Sequence, residues 1–356
     1  MPSSTLPECA HYFPPPETKE DLEFADLPPI HPEGRAQLYP QLRDALRTHG
    51  FLYAINHGYT QAQRDRIFDI AGVPFNDVSL DEKKTYTASI EEVGSYAGYK
   101  LRQFWRVDTE NQIHDQIENY AINLNVENRP HPTALRPFLP EIDHFARHNH
   151  FNILHPILRL IALSLELPEE TLVEKHNFDR TGDTSGYYRR SNDEEEKSKN
   201  VWLKGHTDTG SITILWSQPV GGLQILGPDG KWKWVRHIDN GLVINTGYMM
   251  TFFTGGYYKP TIHRVIQPPS DQHAYDRLGA YYFAMANDDV RLLSCAESPV
   301  LKHVGIERQC LDEDSPLCET WRKGRTAAYG RSDLKNGVER GVEEEVIEGI
   351  VVKHYN

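Results

Sequence analysis

From Thr184 onward the sequence breaks into short runs rich in β-branched and aromatic residues, each closed by Gly, Pro, Asn or Asp. The runs cover residues 185–189, 211–216, 222–226, 231–236, 242–245, 263–266 and 278–284. No run is long enough to stand alone, so each must bury one face against a second layer. Many short strands at this spacing predict a β-sandwich or barrel. The spacing does not fix the order of the strands.

The first half reads differently. Residues 1–34 are proline-rich and are expected to run extended over the body. Leu38, Leu42 and Leu46 have helical spacing across residues 37–49, and Gly50 is placed to end that helix. Residues 51–56 read as a buried strand turning at His57-Gly58, and Thr60 caps a helix over 60–71. Phe145, Ile153, Leu154, Ile157, Leu158, Ile161 and Leu165 form one apolar stripe, which predicts a helix over 140–167. Beyond Pro299 the chain becomes charged and helical again, with a helix over 320–329. Three regions follow: an N-terminal helical and β region over 1–180, a β core over 181–300, and a C-terminal helical segment over 301–356. The charged stretch 192–199 reads as a solvated loop, placed to act as a lid before the strand that follows.

Composition narrows the partners. A net charge of -13 argues against nucleic acid or an anionic membrane, both of which need a basic face, and leaves a small-molecule substrate. The four cysteines are widely spaced with no C-x-x-C, so neither a zinc knuckle nor a disulfide framework is expected. The N-terminus lacks a basic start followed by an apolar run, and no stretch has the length of a membrane span. A soluble, cytoplasmic protein is the expectation.

The chemistry concentrates in Gly205-His-Thr-Asp-Thr-Gly210. Side chains at i and i+2 on a strand share a face, so His206 and Asp208 can grip one ion, with His263 as a third candidate ligand. Two imidazoles and one carboxylate suit a divalent iron that keeps positions open for oxygen and a co-substrate. His-x-Asp alone is weak evidence in a chain with 17 histidines, and His237-Ile-Asp239 also qualifies. That second pair runs into Asn240-Gly241, a turn signal, whereas His206 and Asp208 lead into the alternating Ile212, Ile214 and Trp216. His144 and His148 share a helical face but lack the glutamate of H-E-x-x-H, which favours a structural role. Arg277 opens a predicted strand, where a buried guanidinium needs an anion, whether a protein carboxylate or a ligand.

Several segments in fixed order resemble the isopenicillin N synthase-like branch of the iron(II)- and 2-oxoglutarate-dependent dioxygenases. They are Thr48-His-Gly-Phe-Leu-Tyr-Ala-Ile-Asn-His-Gly58, Gly205-His-Thr-Asp208, Val220-Gly-Gly-Leu-Gln-Ile225, Gly230-Lys-Trp232, Asn245-Thr-Gly247 and Thr254-Gly-Gly-Tyr-Tyr-Lys-Pro-Thr-Ile-His-Arg-Val265. The resemblance implies a mainly β fold with flanking helices around a double-stranded β-helix (jelly-roll) core. It implies Fe(II) held by His206, Asp208 and His263, with Arg277 and Tyr188 binding 2-oxoglutarate. It also implies O2 as oxidant, succinate and carbon dioxide as co-products, and hydroxylation, desaturation or ring rearrangement of a small organic substrate, with specialised metabolism as the expected setting.

Three positions depart from the resembling pattern. Arg277-Leu278-Gly279 lacks the serine of the usual Arg-x-Ser, and Gly186 and Tyr248 stand where an asparagine and an acidic residue are common. One lost hydrogen bond to a charged group is worth about 1.5–3 kcal/mol, enough to loosen co-substrate binding without abolishing it. In Gly94–Trp105 the resemblance places Tyr96, Tyr99, Phe104 and Trp105 as an aromatic wall of the substrate pocket, with Arg102 and Arg189 as candidate partners of a substrate carboxylate; aromatic core packing is the competing reading. Gly279 prompts a second functional reading, an iron oxidase of the same architecture that does not use 2-oxoglutarate. A non-catalytic β-barrel binding protein is the alternative of another class.

Overall fold

Period-two alternation along the β-rich half decides which side chains meet the helices and which meet the interior. A computed structural model of the chain describes residues 6–31, 38–108, 113–178, 184–190, 200–328, 335–336 and 342–355; the charged stretch 192–199 lies outside them. We number the principal strands β1 (Phe51–Ala54), β2 (Ile117–Asn123), β3 (Thr184–Arg190), β4 (Val201–His206), β5 (Ile212–Trp216), β6 (Leu223–Leu226), β7 (Leu242–Thr246), β8 (His263–Ile266), β9 (Arg277–Ala284), β10 (Val342–Ile347) and β11 (Ile350–Tyr355).

Two sheets face each other. The larger runs Pro29–Ile30, β1, β7, β5, β9, β3, β2, Gly98–Lys100, and the smaller runs Trp232–Trp234, β6, β8, β4, β11, β10, Lys335–Asn336. From β3 to β9 the numbered strands alternate between the two sheets, which is the winding of a double-stranded β-helix. The strands of both sheets pair antiparallel except for Pro29–Ile30 with β1. Along β5, Ile212, Ile214 and Trp216 join the hydrophobic core while Thr213 and Leu215 face the space between the sheets. On β9, Tyr282 and Ala284 likewise join the core, and Tyr281 and Phe283 turn inward.

Helices cover the outer face of the larger sheet. Gln61–Asn76 starts at Thr60, which forms a complete capping box with Gln63, worth about 1 kcal/mol. Its Arg64 donates to Ser217 O at 2.9 Å, tying helix to sheet. The single helix expected over 140–167 is α-helical over Leu139–Arg147 and His155–Ser164, with a π segment, His148–Leu154, between them. Pro156 explains the widening: its ring cannot pass the carbonyl four residues earlier and it has no N–H to give. The His155 N–H accordingly reaches His150 O.

The N-terminal strap is extended, as expected. Lys19 N and Thr18 Oγ1 both donate to Asp271, each at 2.8 Å, and Ala25 N donates to Trp234 O. The far end of the chain differs from expectation. Pro299–Val304 and Cys318–Ala328 are helical, but β10 and β11 form a hairpin that joins the smaller sheet through Tyr355 and Gly205. A helical expectation fails here because burial along β10 has a period of two: Glu345 and Ile347 are buried and Val346 between them is exposed.

The π segment buries histidines. His150 Nδ1 meets the Tyr282 hydroxyl at 2.6 Å, His155 Nε2 lies 3.0 Å from His150 Nε2, and His176 meets Ser211 Oγ at 2.8 Å. Burial pushes His150 down to about 3 and His148, His176 and His237 down to about 4, from an ordinary 6.5. Unfolding restores the ordinary value, so the unfolded chain takes up more protons between these limits and stability rises with pH there. The melting temperature should therefore fall as pH is lowered from about 6.5 toward about 4. Calorimetry on His150→Gln and His176→Gln should show a shallower dependence over that window than the parent protein.

Candidate metal centre and co-substrate pocket

The antiparallel register of β4 and β8 places His206 directly opposite His263. Their ring centroids lie 4.4 Å apart. Each ring is oriented by its own backbone neighbourhood: Nδ1 of His206 donates to Lys204 O at 2.8 Å, and Nδ1 of His263 to Thr261 O at 3.1 Å. A carbonyl can only accept, so these bonds set the tautomer and leave both Nε2 lone pairs facing inward.

Asp208 arrives by a different route from the one its spacing suggested. β4 ends at His206, and Asp208 lies in the irregular segment just beyond it. Its position comes from the opposite sheet. Thr213 Oγ1 on β5 and Asn245 Nδ2 on β7 donate to Oδ2 at 2.6 and 2.8 Å. Oδ1 is thereby turned toward the imidazoles, 3.7 Å from His206 Nε2 and 3.5 Å from His263 Nε2. The three ligand atoms lie within 4.8 Å of one another. Burial works to raise the Asp208 pKa, but the two histidines and the Asn245 bond outweigh it and hold the carboxyl well below the usual range. Two oriented imidazoles and one fixed, ionised carboxylate, arranged on one side of a cavity, fit a divalent iron with open positions.

The same cavity, about 150 Å³, is lined by residues of both sheets and ends at Arg277 and Tyr188. Arg277 is buried, and its Nε donates to Val220 O and Gly221 O at 3.2 and 3.1 Å. Its Nη1 donates to the Tyr188 hydroxyl. Among the described residues no carboxylate pairs with Arg277, so the protein carboxylate that the sequence left open is not its partner there. The guanidinium also borders a larger cleft of about 360 Å³ beneath the strap residues Glu17–Phe24. That cleft lacks the convergent ligand set, which lines the smaller cavity.

A second chamber of about 140 Å³ opens on the other side of His206 and Asp208. Tyr96 and Trp105 form part of its wall, with ring centroids 5.7 Å apart and edge-to-face. A buried ion pair fixes Trp105: Asp115 meets Lys100 at 2.5 Å and accepts from the backbone N–H groups of Phe104 and Trp105. Arg322 and Arg325 of the Cys318–Ala328 helix also line this chamber. Arg325 donates to Thr207 O, between the two metal-ligand candidates, and pairs with Glu345 of β10; Arg322 holds Gly94 O and Asp288. Sequence reasoning missed these two arginines, which by spacing alone look like the polar face of a surface helix.

Other expected wall residues fall elsewhere. Tyr99 is buried in the core at 1% exposure, with its hydroxyl donating to Pro74 O and its ring against Tyr120. Arg189 points to the opposite face from Tyr188, as alternation on β3 requires, and bonds Asn76 and Glu118. Arg102 is exposed and bonds Gln116, and neither it nor Phe104 lines the cavities described above. His144 shares a hydrogen bond with the Tyr59 hydroxyl at 2.8 Å and His237 with Ser217 Oγ at 2.7 Å, and among the described residues neither rival pair joins a set of three convergent ligands.

Comparison with known proteins agrees with this geometry. Residues 177–285 match the model of the 2OG-Fe(II) oxygenase superfamily, and residues 22–140 match that of the non-haem dioxygenase N-terminal region, together more than half of the chain. A 2-oxoglutarate-dependent dioxygenase of Gibberella zeae is 31% identical over 56% of this chain and 54% of its own length. The 2-oxoglutarate-Fe(II) type oxidoreductase hxnY of Emericella nidulans is 26% identical, over 75% of this chain and 79% of its own. Among solved structures, a full-length Neurospora crassa protein in complex with alpha-KG superposes with a TM-score of 0.72 at 20% identity, covering 87% of this chain and 100% of that one. The chain is thus a jelly-roll enzyme of the iron(II)- and 2-oxoglutarate-dependent dioxygenase family.

Proposed function

We propose that His206, Asp208 and His263 hold the iron, that Arg277 and Tyr188 hold the distal carboxylate of 2-oxoglutarate, and that a small organic substrate occupies the chamber walled by Tyr96, Trp105 and the Cys318–Ala328 helix. The observation that carries this reading is the buried Arg277, without a carboxylate partner among the described residues, at the end of the cavity that the three ligand candidates share. A guanidinium fork matches a carboxylate, and a charged group so buried needs an anion. Bound iron supplies oxygen activation coupled to oxidative decarboxylation of 2-oxoglutarate to succinate and carbon dioxide.

The protein's own residues do the positioning. Thr213 and Asn245 keep Asp208 oriented, and the backbone carbonyls of Lys204 and Thr261 keep both imidazoles ligand-ready. Trp105 and Phe283 border both cavities, so they shield the reacting centre from water on the substrate side. The Arg322 and Arg325 guanidinium groups are already paired with Asp288 and Glu345, so they offer the substrate hydrogen-bond donors with little net charge. That lining suits a small molecule with an apolar body and an oxygen function, oxidised by hydroxylation, desaturation or ring rearrangement in specialised metabolism. The Neurospora protein has itself been crystallised with thymine, another small molecule.

Three outcomes test these roles. His206→Ala should abolish anaerobic iron(II) binding and turnover while the circular dichroism spectrum stays native; an unchanged iron titration removes His206 from the site. Asn245→Ala should weaken iron(II) binding about 10–100-fold, the usual effect of losing a group that orients a ligand. Turnover of a substrate should release succinate in step with oxidised product. Product formed with oxygen but without succinate would instead favour an oxidase in which Arg277 binds a substrate carboxylate.

A further inference from the structure

Two of the departures from the resembling pattern, Gly186 and Gly279, meet in the structure. In the register of β3 against β9, Gly186 pairs with Tyr281 and Gly279 pairs with Tyr188. Each glycine is covered by its partner's ring. A Cβ on Gly279 would lie 2.2 Å from Tyr188 Cζ and 2.5 Å from its hydroxyl, and one on Gly186 would lie 2.7 Å from the Tyr281 hydroxyl. No side chain larger than hydrogen fits beneath either ring in this arrangement. The two rings stack on each other, with centroids 6.2 Å apart and 23° between planes. Tyr281 is fixed further by donating to Asn119 Oδ1 at 2.7 Å. Asn119 lies opposite Tyr188 in the register of β2 with β3.

This packing sets where the Tyr188 hydroxyl sits. It lies over the 279 position, against Arg277, where it accepts from Nη1. Its own O–H is then left to donate. An anion at Arg277 would receive one hydrogen bond from the guanidinium and one from the phenol.

We propose that the crossed pairs Gly279–Tyr188 and Gly186–Tyr281 form a template that lays the Tyr188 phenol across β9, so that this phenol, and not a hydroxyl carried on residue 279, is the second group holding the distal carboxylate of the co-substrate. The proposal rests on the assignment of Arg277 to 2-oxoglutarate. Gly279 and Gly186 are positioning residues that act through Tyr188. Adding the hydroxyl that the resembling pattern carries at 279 is expected to harm binding, because it displaces a ring that already supplies that bond.

The test is equilibrium binding to the manganese-loaded enzyme without oxygen, measured by calorimetry and free of turnover. Tyr188→Phe keeps the ring and removes the hydroxyl; it should weaken 2-oxoglutarate binding about tenfold or more. It should leave 2-oxobutyrate, which has no distal carboxylate, unaffected. Gly279→Ser should weaken 2-oxoglutarate binding in the parent, yet cause no further loss, or a gain, when added to Tyr188→Ala, where the ring is gone. Should Gly279→Ser fail to fold, the Tyr188→Phe comparison and the Tyr188→Ala/Gly279→Ser pair still decide. Unchanged 2-oxoglutarate affinity in Tyr188→Phe, or tighter binding in Gly279→Ser alone, overturns the template. Failure of the parent enzyme to bind 2-oxoglutarate at all overturns the co-substrate assignment itself, and the template with it.

Discussion

The pairing of β4 with β8 sets His206 and His263 face to face, and the rest of the centre is built around that pair. An antiparallel register is discrete: a slip by one residue turns a side chain to the opposite face of the sheet. The two imidazoles therefore converge only in this register, and the apolar residues of β4 and β8 reinforce it. The third ligand candidate is held from the other side. Thr213 and Asn245 belong to the larger sheet, so Asp208 is correctly aimed only when the two sheets face each other. The three candidate ligands converge only when both sheets are assembled, and no isolated segment could reproduce that arrangement.

Burial of charge is the second constraint. Asp208, Arg277, Arg325 and the Lys100–Asp115 pair all lie inside or close to the cavities, where an uncompensated charge would be costly. Each is met differently: Asp208 by imidazoles and two neutral donors, Lys100 by a carboxylate and a backbone carbonyl, Arg325 by Glu345. Arg277 is met by carbonyls and a phenol, none of which carries charge. Among the described residues, that difference sets Arg277 apart from the charged groups that hold the walls in place.

Much of this was readable in the chain because period-two alternation and turn residues are local signals. The seven β-rich runs and the Thr60 cap needed only spacing and residue type, whereas the His206, Asp208 and His263 set needed the ordered segments of the family resemblance as well. What escaped depends on contacts between distant segments. Tyr99 and Tyr96 look alike in sequence, but one packs on Tyr120 and the other lines a chamber, a distinction made by strand pairing. Arg322 and Arg325 resemble any charged helix face until the helix is docked over Thr207. The glycine at 279 reads as a lost hydroxyl, and only the register against Tyr188 shows the space already taken.

The hairpin of β10 and β11 bears on more than the wall it supports. Strand β4 has β8 on one side, and β11 occupies the other. Without that neighbour the strand carrying His206 would present unpaired amide and carbonyl groups, a template onto which a strand from another molecule could add. Such an addition would begin beside Gly205, next to His206. By pairing at Gly205 from within the same chain, the hairpin covers the edge of β4 beside His206.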